Sequence, residues 1–223
     1  MPGSGPRCAP GPADQLGTAP ARAIRESHIC AFSPKPGSAP SRRSMLEGQE
    51  HAKGARVSRR LLRLEIPVFP DRRMFRLHDA TVDPDAPGSP APPDGALISV
   101  TREQMWIASL QEIVSAQLLL EEWDSAPPPF GEKWEDEAKA VLYLRGAVSI
   151  DMGTAGKAVE SLKLAGGVGD YVVRVFARNR TEVTRRYQDL FRRGMDPLSD
   201  EFEQARRTLD GLEQYLLQLW RGS

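Results

Sequence analysis

The sequence predicts a mainly β domain that follows a disordered N-terminal tail. Its strongest strand signal is residues 170–178, which read Asp-Tyr-Val-Val-Arg-Val-Phe-Ala-Arg and alternate between two kinds of side chain. A period of two is typical of a strand with one buried face. Residues 62–68 show the same alternation, whereas residues 1–58 show almost no apolar period. Together, these observations set the predicted fold class.

Charge separates the tail from the domain. Residues 1–60 contain ten lysines or arginines and four acidic residues, a net charge of +6. The whole chain is neutral, so residues 61–223 carry a net charge of −6. The tail is also rich in Pro, Gly, Ser and Ala, and it cannot bury enough apolar surface to offset the entropy of ordering it. We therefore expect a disordered basic tail at 1–58 and a folded domain at 59–223.

Cysteine usage and hydropathy restrict the class of protein. Both cysteines, Cys8 and Cys30, lie in the tail, which excludes a disulfide scaffold or a cysteine-based metal site in the domain. No apolar run is long enough for a signal peptide or a membrane span, so we expect no membrane association and a cytoplasmic location. Met45 lies shortly before the domain, and translation from there would omit the first 44 residues.

The first half of the domain contains two clear strands and one ambiguous stretch. Residues 62–68 form a strand, and Pro67 indicates an edge position because proline cannot donate to a ladder. A second strand is expected at 74–77, before a proline-rich surface loop at 83–94. Residues 96–123 fit two patterns. One is a helix with an apolar face, which propensity favours; the other is a set of three strands, at 96–100, 105–108 and 112–123.

The second half of the domain alternates short strands with glycine-rich loops. Strands are expected at 138–144 and 147–151, after a turn of helix at 134–137. The glycines of 153–156 and 166–169 predict two hairpin loops, the second just before the strand at 170–178.

The alternation within 170–178 also predicts which side chains face the core. The set that contains Arg174 and Arg178 is expected to face solvent, since arginine is almost never buried without a partner. The inward set is then Tyr171, Val173, Val175 and Ala177.

Two helices are expected between that strand and the end of the chain, within an insertion at 181–212. The first, at 181–193, has an apolar face and is ended by Gly194. The second begins at Ser199, a favourable N-cap residue. Residues 215–220 suit a final strand, although a helix that runs to the terminus is an alternative.

Three motifs resemble segments of a family of uncharacterised bacterial proteins. They are Trp134-Glu135-Asp136 after a proline turn, the strand that begins at Tyr171, and the terminal Tyr-Leu-Leu-Gln-Leu-Trp. The resemblance implies a compact antiparallel β-sandwich, which favours strands over a helix at 96–123, and it supplies no catalytic residues. More distantly, the layout is similar to competence-associated inhibitors of a DNA-entry nuclease. The helical insertion at 181–212 departs from the family pattern.

No catalytic, metal or cofactor site is expected. His78, the only histidine of the domain, stands beside Asp79, but neighbours on a strand point to opposite faces, so we expect a surface histidine rather than part of a hydrolase triad. Residues 153–158 have glycines too closely spaced for a P-loop, and Ala158 stands where a P-loop has its magnesium-binding hydroxyl. One histidine and scattered acids do not form a metal-ligand pattern.

Aromatic and arginine clusters are assigned structural roles. The arginine pairs at 185–186, 192–193 and 206–207 alternate with acidic residues, which predicts intrahelical ion pairs rather than a nucleic-acid surface. The tryptophans of the domain are candidates to line a ligand site, but a sandwich core also needs large apolar side chains, so structural roles in the core are favoured for Trp106, Trp123, Trp134 and Trp220.

These observations favour a non-enzymatic protein-interaction domain. A net charge of −6 attracts a basic partner such as a nuclease, in an inhibitor-like or immunity-like role. The insertion is the expected contact surface, and its predicted contact residues are Arg185, Arg186, Tyr187, Arg192 and Arg193. Two alternatives are a nucleic-acid-associated protein that uses its basic tail, and a hydrolase that uses His78.

Overall fold

A computed structural model describes residues 57–83, 90–129 and 131–222. These residues form eight strands and two helices, in the order β1 (Arg60–Val68), β2 (Met74–Asp79), β3 (Ile98–Val100), β4 (Gln104–Ala108), β5 (Ala116–Trp123), β6 (Asp136–Asp151), β7 (Lys157–Arg178), α1 (Arg180–Arg192), α2 (Asp200–Arg207) and β8 (Gln214–Arg221). The mainly β fold class is therefore confirmed. The predicted tail at 1–58 falls almost wholly outside the described residues.

All eight strands belong to one mixed sheet with the order β1-β5-β8-β7-β6-β2-β4-β3. β1 lies at an edge, as Pro67 predicted. The prediction of a wholly antiparallel arrangement is wrong, because β5 and β8 are parallel. β8 lies between β5 and β7, and these two strands run in opposite directions, so it has to be parallel to one of them.

The ambiguous stretch 96–123 contains three strands, and the helix alternative is wrong. The clearest of the three is β5, which pairs with β1 on one side and with β8 on the other. Leu118 and Leu120 on β5 are completely buried, and their period of two places both of them on the core face. Tertiary packing thus overrides helix propensity here.

β6 and β7 are longer than the sequence predicted, with 16 and 22 residues. The glycine cluster at 166–169 lies inside β7 and is not a hairpin loop, so that prediction is wrong. The reason is close packing: a Cβ atom on Gly166 would lie 2.7 Å from the hydroxyl oxygen of Tyr171. The hairpin that joins β6 to β7 turns instead at the other predicted loop, through one turn of 3-10 helix at Gly153–Ala155.

One apolar core lies between the two halves of the bent sheet. Phe75 on β2 packs edge-on against Tyr215 on β8, with ring centroids 5.0 Å apart, although β6 and β7 separate these strands within the sheet. The two long strands, β6 and β7, therefore extend through both halves of the sheet. A sandwich of two separate sheets is not confirmed.

The inward set of β7 is confirmed, because all four predicted side chains have no exposed surface. Arg174 and Arg178 lie on the opposite face, as predicted, but their side chains are only 21% and 36% exposed. Aromatic rings cover them: the Arg174 guanidinium lies 5.5 Å from the Trp220 ring centre, and that of Arg178 lies 4.7 Å from the ring centre of Trp134.

Of the four tryptophans only Trp220, 6% exposed, is buried, and the other three are half-buried, so the prediction of core packing is wrong for Trp106, Trp123 and Trp134. Each of the four rings instead has a cation over it, supplied by Arg60, Arg76, Arg174, Lys139 or Arg178. An indole ring that lies between the sheet and an arginine is shielded from water by both of them.

The predicted turn of helix at 134–137 is also wrong, since β6 begins at Asp136. Glu135 instead reaches the start of α1, where its Oε2 accepts a hydrogen bond from the backbone N–H of Arg180 at 2.9 Å. Its Oε1 accepts hydrogen bonds from the backbone and hydroxyl of Thr181. These bonds hold the segment extended across the end of the sheet.

The two helices lie between β7 and β8, where the sequence predicted them. Gly194 follows α1 with φ +72°, and the Ser199 hydroxyl caps α2 by accepting a hydrogen bond from the N–H of Phe202. A small second cluster joins the helices to the sheet, and its buried members are Val114, Val183 and Leu209. Neither helix is long and apolar enough to span a membrane.

Candidate protein-interaction surface

The predicted arginines of α1 are mostly paired within the helix. Glu182 forms salt bridges with Arg185 at 2.9 Å and with Arg186 at 2.6 Å, and Asp189 does so with Arg185 and Arg192, both at 2.9 Å. These hydrogen bonds, first from Arg186 and then from Arg185, lower the pKa of the Glu182 carboxyl. The prediction of intrahelical ion pairs is confirmed for these three arginines.

A similar network covers one side of α2. Glu203 forms salt bridges with Arg206 at 2.7 Å and with Arg207 at 2.9 Å. Hydrogen bonds from Arg206 and Arg207 lower the pKa of Glu203 to about 2. Arg206 also donates a hydrogen bond to the carbonyl oxygen of Ile113 at 2.7 Å, so this network ties α2 to the segment before β5.

Tyr187 packs between the helices rather than facing solvent. Its ring lies 5.2 Å from Phe191 and 6.1 Å from Phe202, centroid to centroid. Burial raises the pKa of its hydroxyl. Tyr187 therefore holds α1 against α2. Its role in the predicted contact surface is to fix the arrangement of the two helices.

Arg193 differs from the other three predicted arginines. It caps the C-terminus of α1, and it makes no ion pair with any residue that the structure describes. It also lines a groove of about 370 Å³ between the two helices. Among the predicted contact arginines, Arg193 is thus the one whose charge is not paired with a described acid.

The junction between α1 and α2 exposes apolar and acidic side chains together. Leu198 is 94% exposed and Phe191 is 46% exposed, and Asp196, Asp200 and Glu201 lie within the ten residues that follow Phe191 in the sequence. None of these three acids forms a salt bridge within 57–83, 90–129 and 131–222. We call these five residues the helix tip. Sequence reasoning missed it, although an apolar leucine within Met-Asp-Pro-Leu-Ser-Asp is a signal that could have found it.

Hydrogen bonds fix the base of the helix pair on the sheet. Asp210 accepts a hydrogen bond from the backbone N–H of Ser115 at 2.9 Å, and the Asn179 side-chain amide donates to the carbonyl of Leu212 at 2.8 Å. Arg180, at the start of α1, pairs with Asp136 at 2.7 Å while its side chain is only 4% exposed. The helix tip is therefore presented from an anchored base.

His78 is buried, so the prediction of a surface histidine is wrong. It is 1% exposed because β2 is a central strand, paired with β4 and β6. Its Nδ1 lies 2.8 Å from the backbone oxygen of Asp79, whereas the Asp79 carboxylate accepts hydrogen bonds from Thr81 and the Arg145 backbone. The two side chains therefore do not act as a pair. Burial lowers the pKa of His78.

Comparison with known proteins finds similarity among solved structures only. No protein-family model matches the chain, and no curated protein matches it. ComJ from Bacillus subtilis, an inhibitor of the DNA degrading activity of NucA, matches with a TM-score of 0.45 and 10% identity over 74% of this chain and 99% of that chain. The protein of crocagin biosynthetic gene J matches with a TM-score of 0.44 and 15% identity, over 75% and 99%. The chain is thus distantly similar to a nuclease inhibitor, as the sequence motifs predicted.

Proposed function

We propose that this chain is a non-enzymatic protein-binding domain that holds a basic protein partner at the helix tip. The observation that carries the proposal is the combination at the tip of an almost fully exposed leucine with three acids outside any salt bridge to described residues. Burial of an exposed apolar side chain against a partner is favourable, and acids that face solvent can pair with basic groups of that partner.

Charge selects the class of partner. Residues 61–223 carry a net charge of −6, and such a domain steers a basic protein towards itself. Proteins that act on nucleic acids present basic surfaces to phosphates. An inhibitor-like or immunity-like role towards a nuclease follows from that chemistry and is the specific role that we propose.

The five predicted contact residues divide into two groups under this proposal. Arg192 and Arg193 end α1 beside the tip and form its rim. Arg185, Arg186 and Tyr187 lie further along α1 and stiffen it through their contacts with Glu182, Asp189 and the aromatic rings. Arg185, Arg186 and Arg192 share the two acids Glu182 and Asp189, so most of the charge of this part of α1 is balanced within the helix.

The test is affinity purification of the full chain from its native cells with two matched variants. The tip variant, Leu198→Ser with Glu201→Lys, removes an exposed apolar side chain and reverses an exposed acid. The control, Val168→Ser with Asp170→Lys, makes the same two changes on the outer face of β7, where Val168 is 51% exposed. We expect a basic protein to be retained by the wild type and the control and lost by the tip variant.

The same experiment can contradict the proposal. If both variants retain the same partner, the helix tip is not the contact surface. Binding should also weaken as salt rises, since it is steered by charge. The nucleic-acid alternative has a different outcome: the full chain would bind DNA at low salt and lose that binding when residues 1–56 are removed.

A further inference from the structure

A cleft of about 680 Å³ lies far along the sheet order from α1 and α2, beside β2. It opens between the turn that joins β1 to β2 and the loop that joins β6 to β7. This volume is within the range of small-molecule binding sites. The side chains that matter for its chemistry are Asp71, Arg72, Arg76, Trp106, Asp151 and Lys157.

Arg76 and Trp106 form a rigid part of the cleft lining. Arg76 is 5% exposed, and it donates hydrogen bonds to Asp151 at 2.9 Å and to Gln104 at 3.1 Å. Its guanidinium carbon lies 4.8 Å from the ring centre of Trp106, which is only half-buried. The indole is thus held in place by a buried cation, and its half-buried side chain lines the cleft.

Both carboxylates of the cleft already accept hydrogen bonds from the protein. Asp71 Oδ2 accepts from the backbone N–H of Thr154 at 2.8 Å and from its hydroxyl at 2.9 Å. Asp151 Oδ1 accepts from the backbone N–H of Gly153 at 2.7 Å, while its Oδ2 holds Arg76. Gly153 is required here, because a Cβ atom would lie 2.5 Å from the Asp71 carboxylate.

Cations at the exposed rim remain available to a ligand. Arg72 makes no salt bridge with any residue in the described part of the chain, and Lys157 pairs only with the exposed Glu160 at 2.9 Å. The lining contains three cations, Arg72, Arg76 and Lys157, and two carboxylates, Asp71 and Asp151, so its net charge is +1. Because Asp151 already pairs with Arg76, an anionic group fits the rim beside Arg72 and Lys157.

The turn between β1 and β2 presents the Arg72 side chain to the cleft. Arg72 and Arg73 have φ values of +49° and +64°, and they are the central residues of a two-residue hairpin turn closed by a bridge between Asp71 and Met74. Such turns strongly prefer asparagine and glycine. Arginine in a left-handed conformation is a strained choice at both positions, and of the two side chains that of Arg72 lines the cleft.

We propose that this cleft binds a small molecule that carries a planar aromatic ring and a carboxylate. The ring stacks on Trp106, and the carboxylate binds Arg72 and Lys157. The inference is independent of the proposed protein partner, because the two sites share no residue. The 153–158 loop contributes a wall of the cleft and does not act as a P-loop.

The test uses indole-3-acetate and its neutral analogue indole-3-acetamide, titrated into the full chain and followed by saturation-transfer NMR. A ligand of this size is expected to bind with a Kd of about 1 mM or lower. We expect the carboxylate to bind at least about ten times more tightly than the amide, since one well-placed charge contact contributes that much.

Two glycine variants of the same turn make a matched pair. Arg72→Gly and Arg73→Gly remove the same charge from the same left-handed backbone conformation, but only Arg72 lines the cleft. Arg72→Gly should weaken indole-3-acetate binding at least about fivefold, and Lys157→Gln should weaken it as well. Arg73→Gly should leave it within about twofold of the wild type. Absence of binding, equal binding of acid and amide, or equal loss in both glycine variants would each overturn the proposal.

Discussion

The bent sheet and the helix pair use the same ion-pair chemistry in opposite ways. In the sheet, Arg76 and Asp151 are both buried, and their pairing depends on strands that are distant in sequence. In the helix pair, Glu182 and Glu203 bind arginines three and four residues away, at the protein surface. The sheet pairs fix the tertiary structure, whereas the helix pairs join residues of one helix and reach the rest of the domain through the contact of Arg206 with Ile113.

The sheet and the helix pair also differ in the amount of buried apolar surface that holds them in place. The core cluster has buried members from every strand except β3, and most of its members have no exposed surface. The helix pair joins the sheet through three buried apolar residues, Val114, Val183 and Leu209, and through hydrogen bonds at its base. A surface that depends so little on the core can change in sequence without loss of the fold, which suits a region that selects a partner.

The largest expected difference between the two regions is the loss of stability when a phenylalanine is removed from each of them. Phe75→Ala removes a completely buried ring that contacts Tyr215, and it should lower the free energy of unfolding by about 3–5 kcal/mol. Phe191→Ala removes a ring that is 46% exposed, and it should cost about 1 kcal/mol or less. Urea unfolding followed by circular dichroism measures both. Similar losses would show that the helix pair is as tightly integrated as the core.

The next largest effect separates the two kinds of ion pair. Asp151→Ala leaves Arg76 buried without its carboxylate and should cost about 3 kcal/mol, a moderate value because Gln104 still accepts one hydrogen bond. Glu203→Ala removes a surface carboxylate, and its urea midpoint should fall much less than that of Asp151→Ala. A loss as large as that of Asp151→Ala would show that the α2 network supports the tertiary structure through the Arg206 contact with Ile113.

Local signals predicted the helix pair well. Ser199 is an N-cap and Gly194 ends α1 because capping depends on a few neighbouring residues. The inward face of β7 was equally clear, since its alternation is local. The intrahelical ion pairs of the proposed surface also follow from spacing alone.

Errors in the sheet arose where a residue's role depends on a distant strand. Trp106, Trp123 and Trp134 are only half-buried, and arginines from other segments lie over their rings. His78 is buried because strands from both sides flank β2. Gly166 belongs to a strand because the hydroxyl of Tyr171 occupies the space of its missing side chain. None of these contacts has a period or spacing that a single sequence displays.

The dependence of stability on pH should have opposite signs for two glutamates. Burial raises the pKa of Glu213, which lies next to β8 at the base of the helix pair, above its ordinary value of 4.5. The folded state therefore holds that proton more tightly, so the contribution of Glu213 to stability falls as pH rises through its folded pKa. Glu203, with a pKa of about 2, contributes stability above pH 4.5 that is lost as pH falls towards 2.

Glutamine variants assign these two contributions. Relative to the wild type, Glu213→Gln should become more stable as pH rises above 4.5, whereas Glu203→Gln should become relatively less stable as pH rises from 2 to 4.5. Urea unfolding over pH 2–8 measures both differences. A constant difference for Glu213→Gln over this range would contradict the assigned burial effect.

The smallest expected effect compares two left-handed residues, one in each region. Arg73 has φ +64° in the β1–β2 turn, and Asn179 has the same φ before α1. Arg73→Gly removes about 1–2 kcal/mol of left-handed strain and adds about 0.5–1 kcal/mol of glycine entropy, so it should stabilise the protein by about 0.5–1 kcal/mol. Asn179 tolerates this conformation and its amide bonds to Leu212, so Asn179→Gly should instead destabilise it by about 0.5–1 kcal/mol. Urea midpoints that shift in the same direction for both variants would show that strain in the sheet turn is not what distinguishes it from the start of the helix pair.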